Sequence, residues 1–254
     1  MHLIRKEVIP LRDAKKLIDF VEGWIRQTVS SSGARGAVVG LSGGIDSAVA
    51  AALMKNALGR ENVFAVKMPC HSMTADGEDA DLVARALDIQ TLEVDLSETF
   101  DAFSRALNAA FPPSPIAAAN IKPRLRMTTV YSIAQTLGCL VCGTGNKDEL
   151  TVGYFTKFGD GGCDFMPLAD LTKSEVFAMA KELGIPSAVI SKPPSAGLWE
   201  GQTDEKEMGL TYAAIDAYLT GQPVDAESLE KIKRREAASQ HKKKMPPMCI
   251  IGEL

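Results

Sequence analysis

A chain of 254 residues with 46 % hydrophobic and 24 % charged side chains is long enough to bury a sizeable core and has the composition of an ordinary globular domain. A formal net charge of −4 excludes a global nucleic-acid binder; no apolar run approaches the roughly 18 residues of a transmembrane helix, and the charge-studded residues 1–30 do not form a secretory signal. The five cysteines (Cys70, Cys139, Cys142, Cys163 and Cys249) are scattered and odd in number, which reads as free thiols in a reducing compartment and places the protein in the cytoplasm.

In chain order, Leu11, Leu17, Ile18, Val21, Trp24 and Ile25 recur at helical spacing and predict an amphipathic helix over 11–30. Residues 37–41 are a short apolar run, a buried strand. The tight turn Ser42-Gly43-Gly44 follows, then an Ala-rich helix over 46–58. Strands are expected over 63–68, 90–94 and 139–142, with helices over 74–87, 96–110 and 121–137 between them. Residues 112–119, with Pro112, Pro113 and Pro115, read as a connector. Beyond residue 150 the alternation stops. Residues 152–166 are Gly- and aromatic-rich without a period; helices are expected over 172–183, 206–219 and 225–238; 191–205 is a Pro/Gly loop that reads as a mobile lid.

Strands alternating with helices predict one α/β domain over 1–254, built on a doubly wound parallel sheet flanked by helices. In such sheets ligands sit beyond the carboxyl ends of the strands. Those ends carry Ser42-Gly43-Gly44, Pro69-Cys70-His71 and Gly143-Thr144-Gly145-Asn146, all polar or Gly-rich.

The most informative segment is Gly40-Leu41-Ser42-Gly43-Gly44-Ile45-Asp46-Ser47. Paired glycines between strand and helix let the backbone approach an anion, with successive amides and a helix N-terminus aimed at it. Ser42 and Ser47 add hydroxyls. The Walker A lysine is missing, and so is the three-glycine dinucleotide spacing. Asp46 would repel phosphates unless a cation lay between, so it implies Mg2+. The blander alternative is a glycine turn with Asp46 as a helix cap. The full string resembles the pyrophosphate loop of the ATP pyrophosphatase superfamily, whose members adenylate a substrate oxygen.

Four further segments bear on the substrate. Residues 120–127 place Arg124 and Arg126 two apart at a helix start, where guanidinium forks suit phosphate or carboxylate, although surface charge is the commoner explanation. Residues 143–149 follow the fourth strand with Thr144 and Glu149 facing the nucleotide, so that Glu149 and Asp46 share one cation; an acidic helix N-terminus is the alternative. Residues 153–164 are too Gly-rich for a core element and too dense in Lys and Asp for an idle loop. Residues 194–205 complete the lid.

Together these segments, in order from about residue 36 to 247, resemble the NAD synthetase family. The resemblance implies an adenine nucleotide alpha hydrolase-like fold and an amide-forming ligase that converts deamido-NAD to NAD with ammonia and ATP through an acyl-adenylate. It implies Mg2+ on Asp46 and Glu149, and ATP on residues 40–47 (Gly40, Leu41, Ser42, Gly43, Gly44, Ile45, Asp46, Ser47), Thr144, Lys173 and Ser195. Deamido-NAD is implied on Arg124, Lys157, Asp164, His241 and Lys242. Asp160 is implied near the ammonia site, and Asp46, Asp160 and Lys173 are the expected catalytic residues. A homodimer with composite active sites is implied too. So is the absence of a glutamine-hydrolysing domain, since only about 35 residues precede the phosphate-loop strand. Asn146-Lys147-Asp148 departs from the His-Ala-Ala form of some members. Two other readings stay open: another adenylating member of the superfamily, such as a tRNA-modifying or GMP synthetase-like enzyme, and a non-catalytic nucleotide sensor. Cys139 and Cys142 read as structural thiols, and the basic stretch 231–244 reads as a solvated helix face without nucleic-acid contact.

Overall fold

Apolar residues all round the second helix decide the architecture, because such a helix must be covered on every side. A computed structural model of the chain describes residues 10–195, 197 and 201–250. In it, α1 (Ala14–Ser31) lies over α2 (Ile45–Leu58), and α2 lies over the sheet. The alanines of α2 let both neighbours approach closely, and its Leu53 and Met54 are fully buried, each contributing about 2 kcal/mol.

The sheet contains β1 (Ala37–Gly40), β2 (Val63–Lys67), β3 (Gln90–Glu93) and β4 (Leu140–Cys142), all parallel, in the order β3-β2-β1-β4. Side-chain alternation splits the strands between two cores. Ala37, Val39, Val63 and Ala65 face α1, α2, α3 (Thr74–Leu87) and α8 (Lys173–Glu182). Val38, Val66 and Val141 face α6 (Ile121–Leu137) through Val130 and Ala134. A third, smaller core joins Val152, Met208, Leu210, Tyr212, Ile215 and Ile232, from α7 (Lys147–Val152), α10 (Asp204–Met208), α11 (Tyr212–Leu219) and α12 (Ala226–Ser239).

From β1 the chain winds one way through β2 to β3, while β4 lies on the other side of β1. The direction therefore reverses at β1, and a crevice opens between the carboxyl ends of β1 and β4. The strands and the main helices stand where the sequence places them. Three elements differ. The connector contains a helix, α5 (Pro115–Ala119), because Ser114 accepts the Ala117 N–H and Pro115 occupies the first turn. The helix expected over 206–219 is two, broken where Gly209 adopts φ +63° and Thr211 caps the second. A short α9 (Ser187–Ser191) precedes the loop read as a lid, and that reading falls partly on residues 196 and 198–200, which lie outside the described residues.

The cysteines are free, with Cys142 buried in β4 and its thiol pushed up by burial. The basic stretch is not simply a solvated face. Lys242 Nζ donates to the carbonyls of Gly153 and Phe155, and Lys243 Nζ to that of Thr151, each at 2.8 Å. These cations satisfy carbonyls at the C-terminus of α7, the negative end of that helix. No described helix is long and apolar enough to cross a membrane.

Candidate active site

The loop from β1 into α2 forms one wall of the crevice. Gly43 has φ +80°, and a Cβ there would meet the Asp76 carbonyl of α3 at 2.5 Å, so only glycine lets the loop approach α3. Gly44 starts α2 in extended conformation and no side chain caps that end. The first amides of α2 thus keep their donor capacity, as an anion site needs. Ser42 and Ser47, expected to add donors for a ligand, turn toward each other instead. Their hydroxyls are 3.1 Å apart, Ser47 Oγ donates to the Gly44 carbonyl at 2.9 Å, and Ser42 Oγ accepts the Gly44 N–H at 3.3 Å. They hold the loop in shape. Gly40, Leu41 and Ile45 shape the same turn, Leu41 and Ile45 from within the core.

The opposite wall is the β4–α7 turn and the start of α8. Here the structure joins three of the expected residues. Lys173 Nζ lies 2.5 Å from Asp46 Oδ2 and 3.7 Å from Glu149 Oε1, with the lysine side chain only 2 % exposed. Asn146 Nδ2 donates to the other Asp46 oxygen at 2.9 Å. Asn146 also caps α7 reciprocally with Glu149: each side chain bonds the other's backbone N–H, at 3.0 and 3.1 Å. Burial pulls the Lys173 ammonium down, but Asp46 and Glu149 outweigh it and leave the pKa raised. Burial first, then the Asp46 charge, raises the Glu149 carboxyl above its usual range.

Residues that sequence reasoning did not single out complete this cluster. Tyr212 lies with its ring 4.6 Å from Lys173 Nζ and its hydroxyl 3.2 Å from Glu149 Oε1 and 2.9 Å from Asp204 Oδ2. Asp204 is buried and takes the Tyr154 hydroxyl at 3.0 Å. Beneath the cluster, the Lys173 N–H points at Asp148 Oδ1 and Asp216 Oδ1, both at 3.2 Å. Asp148 is fully buried, its Oδ2 has no donor, and Asp216 lies within hydrogen-bonding reach. Burial first and Asp216 second push Asp148 up to about 9. The Asn-x-x-Glu spacing at 146–149 and Thr-x-x-Glu at 172–175 were legible as capping boxes; nothing local marks Tyr212, Asp204 or Asp216.

A second group surrounds the Gly-rich loop 153–164. Arg124 Nη2 reaches the Lys157 carbonyl at 3.3 Å. Asp160 Oδ1 accepts the Thr156 N–H at 2.8 Å, and Lys242 supports the loop from below as described. Asp164 is occupied by the scaffold: it accepts the Val141 N–H at 2.7 Å and the Tyr131 hydroxyl at 3.0 Å. Arg126 turns inward, donating to the Met68 carbonyl at 3.1 Å. Thr144 is half-buried at the end of β4, and His241 is exposed on the single turn after α12. Ser195 Oγ accepts the Gly197 N–H at 3.2 Å.

Among the described residues no three His, Cys, Asp or Glu side chains form a complete metal cage. The donors available are the carboxylates of Asp46 and Glu149, and three carboxylates (Asp46, Glu149 and Asp204) act on the single Lys173 ammonium. This excess of negative charge, with only two accessible carboxylate donors, fits a hard divalent cation that brings phosphate oxygens with it.

The comparisons with known proteins agree with this geometry. A protein from Carboxydothermus hydrogenoformans described as an NH(3)-dependent NAD(+) synthetase is 50 % identical over 230 residues, covering 90 % of this chain and 94 % of its own. Two solved structures share the fold. An NMN synthetase from Francisella tularensis has a TM-score of 0.90 at 37 % identity, over 94 % of this chain and all of its own. An NH3-dependent NAD synthetase from Campylobacter jejuni has a TM-score of 0.80 at 31 % identity, again over 94 % of this chain and all of its own. The NAD synthase family model matches residues 17–246, so the two walls of the crevice fall within one match, and the chain belongs to that family.

Proposed function

We infer that the chain amidates deamido-NAD with ammonia at the expense of ATP, giving NAD, AMP and pyrophosphate. The observation that carries this reading is the Lys173 ammonium held between Asp46 and Glu149 at the mouth of an uncapped helix, in a chain half identical to an ammonia-dependent NAD synthetase. A carboxylate resists ammonia because it is anionic and lacks a leaving group. The nicotinate carboxylate attacks the α-phosphorus of ATP and pyrophosphate departs. The amides of Gly43 to Ser47 receive its charge and Lys173 neutralises the oxygens nearest the crevice. Mg2+ held by Asp46 and Glu149 with the phosphates supplies Lewis-acid charge neutralisation when bound.

Ammonia then attacks the acyl carbon of the adenylate, the bond to AMP breaks, and Asp160 takes the proton that nitrogen loses. Thr144 and Ser195 bind ATP with the 40–47 loop. Arg124, Lys157, Asp164, His241 and Lys242 form the wall for deamido-NAD, and the Arg124–Lys157 and Lys242–loop contacts support that placement. Free thiols and a nucleotide co-substrate support a cytoplasmic location.

A homodimer belongs to the same reading. α4 (Ser97–Ala110) carries Phe100, Phe103 and Leu107 at helical spacing, yet none of its residues is buried; Phe103 is 50 % exposed and Phe111, just beyond the helix, 75 %. Such a stripe supports the reading that a second copy of the chain covers it.

The 0.90 TM-score with the NMN synthetase favours a second reading of the acceptor, nicotinate mononucleotide. The test is product formation from each acceptor with Mg-ATP, using ammonium or glutamine as donor. NAD from deamido-NAD and ammonium alone, with stoichiometric AMP, is expected. A larger kcat/KM on the mononucleotide replaces the acceptor. No amide product with either acceptor removes the ligase reading.

A further inference from the structure

Tyr212 opens α11, capped by the Thr211 side chain, and its ring is buried in the third core. Packing alone does not call for its hydroxyl, because phenylalanine fills the same space. Yet that hydroxyl is wedged between two carboxylates, Glu149 Oε1 at 3.2 Å and Asp204 Oδ2 at 2.9 Å. The ring face meanwhile lies 4.6 Å from Lys173 Nζ. One side chain thus touches the ammonium, a carboxylate of the cluster and the first residue of α10.

The distances within the cluster are unequal in a way this contact explains. Lys173 Nζ pairs closely with Asp46, at 2.5 Å, but stands 3.7 Å from Glu149. Glu149 Oε2 accepts the Asn146 N–H at 3.1 Å, and Oε1 lies 3.2 Å from the Tyr212 hydroxyl, whose one proton it shares with the nearer Asp204 Oδ2 at 2.9 Å. Without the hydroxyl, Oε1 is free to close on Lys173 as a tight ion pair, and its lone pairs are lost to any other cation. Asp204, the nearer acceptor, orients the hydroxyl, and its other oxygen lies 3.0 Å from the Tyr154 hydroxyl, which also reaches Glu207 Oε2 at 2.7 Å. Partners of this outer kind set the rotamer of the group they touch.

We propose that Tyr212 is a positioning residue that holds Glu149 off Lys173 and aims it at Mg-ATP, with Asp204 fixing the hydroxyl that does so. This rests on the reading of the chain as an ATP-consuming ligase. Its consequence is specific: loss of the hydroxyl weakens binding of the metal–nucleotide complex and spares binding of the metal-free nucleotide.

The test is isothermal titration calorimetry with ATP, in Mg2+ and in EDTA, without acceptor. It compares the wild type, Tyr212→Phe, Asp204→Asn and the double variant. Tyr218→Phe, the same change on the same helix at a hydroxyl bonded to Glu236, is the control. Tyr212→Phe is expected to weaken Mg-ATP binding about ten- to a hundredfold and leave ATP binding in EDTA unchanged. Asp204→Asn is expected to act in the same direction, with the double variant no weaker than Tyr212→Phe. Tyr218→Phe is expected to match the wild type. Wild-type Mg-ATP affinity in Tyr212→Phe, or an equal loss with and without the metal, overturns the proposal. If Tyr212→Phe does not fold, Asp204→Asn decides by the same two criteria. NAD formation by the wild type is followed in parallel. Its absence with the affinity pattern intact withdraws the acceptor and leaves the role of Tyr212; its presence without the pattern does the reverse.

Discussion

A lysine side chain buried as deeply as Lys173 is tolerated only with a partner, since taking an ammonium out of water costs several kcal/mol, and Asp46 is that partner at 2.5 Å. Asp46→Asn removes the negative charge but keeps the acceptor, and Glu149 remains near the lysine. The variant is therefore expected to fold, with a melting temperature a few degrees lower, and to lose on the order of a hundredfold in NAD formation. Normal turnover in an ammonium assay would dismiss the role given to Asp46. Asp148 makes an opposite prediction. Its folded pKa, pushed up to about 9, lies well above that of an unfolded aspartate near ~4. Between these values the native state keeps a proton that the unfolded state has lost, so stability falls as pH rises through that window. Asparagine reproduces the protonated form: it accepts from the Lys173 N–H and donates to Asp216. Asp148→Asn is expected to melt with the wild type at or below about pH 4 and to gain on it as pH rises, by roughly 3 °C or more at pH 8, a gain of about 1 kcal/mol or more. Asp46 and Glu149 were legible as a pair in the sequence because each follows a strand end. Lys173 entered only through the family resemblance, since its contact with Asp46 spans 127 positions. Tyr212, Asp204 and Asp216 were illegible for the same reason: their partners lie on other elements, and polar residues on a short surface-like helix carry no local mark.

Among the elements, most strands and long helices were legible because period and composition agree with burial there, as in β1, β2 and α2. β3 tests this, since all four of its residues are exposed, yet Val66 and Lys67 beside it fix the pairing. Lys67 bridges Asp81 and Glu93 at 2.6 and 2.7 Å and ties α3 to that edge. The short helices were less legible because one or two turns display no period; the capping residues Ser114 and Thr211 and the C-terminal Gly209 were the available signals. The phosphate loop depends on element geometry more than on its hydroxyls. Gly43→Ala forces a Cβ into the Asp76 carbonyl and a positive φ on alanine, at about 1–2 kcal/mol for the backbone alone. The loop has to leave α3, and ATP affinity is expected to drop on the order of tenfold or more, as read by calorimetry. Unchanged affinity would mean that the loop does not need its packing on α3.

On the scale of the molecule, the reversal of winding at β1 opens the crevice, and the third core closes its far side with Tyr212 and Asp204. The two parts of the chain cooperate through α8, whose first residue is Lys173 and whose Glu175 carboxylate receives Arg12 at 2.6 and 2.7 Å. This assembly leaves one face of α4 only partly covered: Phe100 packs against His71 and under Lys122, while Phe103 stands half exposed. Phe100, Phe103 and Leu107 recur as a core-facing helix would have them, while no residue of that helix is buried. An exposed apolar side chain at such a position favours association, and glutamate there opposes it, because a dimer would desolvate the new charge without a partner. Phe103 is half exposed, so the substitution costs the monomer little. Sedimentation is expected to give a dimer for the wild type and a monomer for Phe103→Glu, at similar melting temperatures at high dilution. A wild-type monomer at micromolar concentration would remove the second copy as the occupant. A Phe103→Glu dimer would move the interface to another face. If the active sites are composite, the monomeric variant also loses NAD formation while the Lys173 cluster within each chain stays intact.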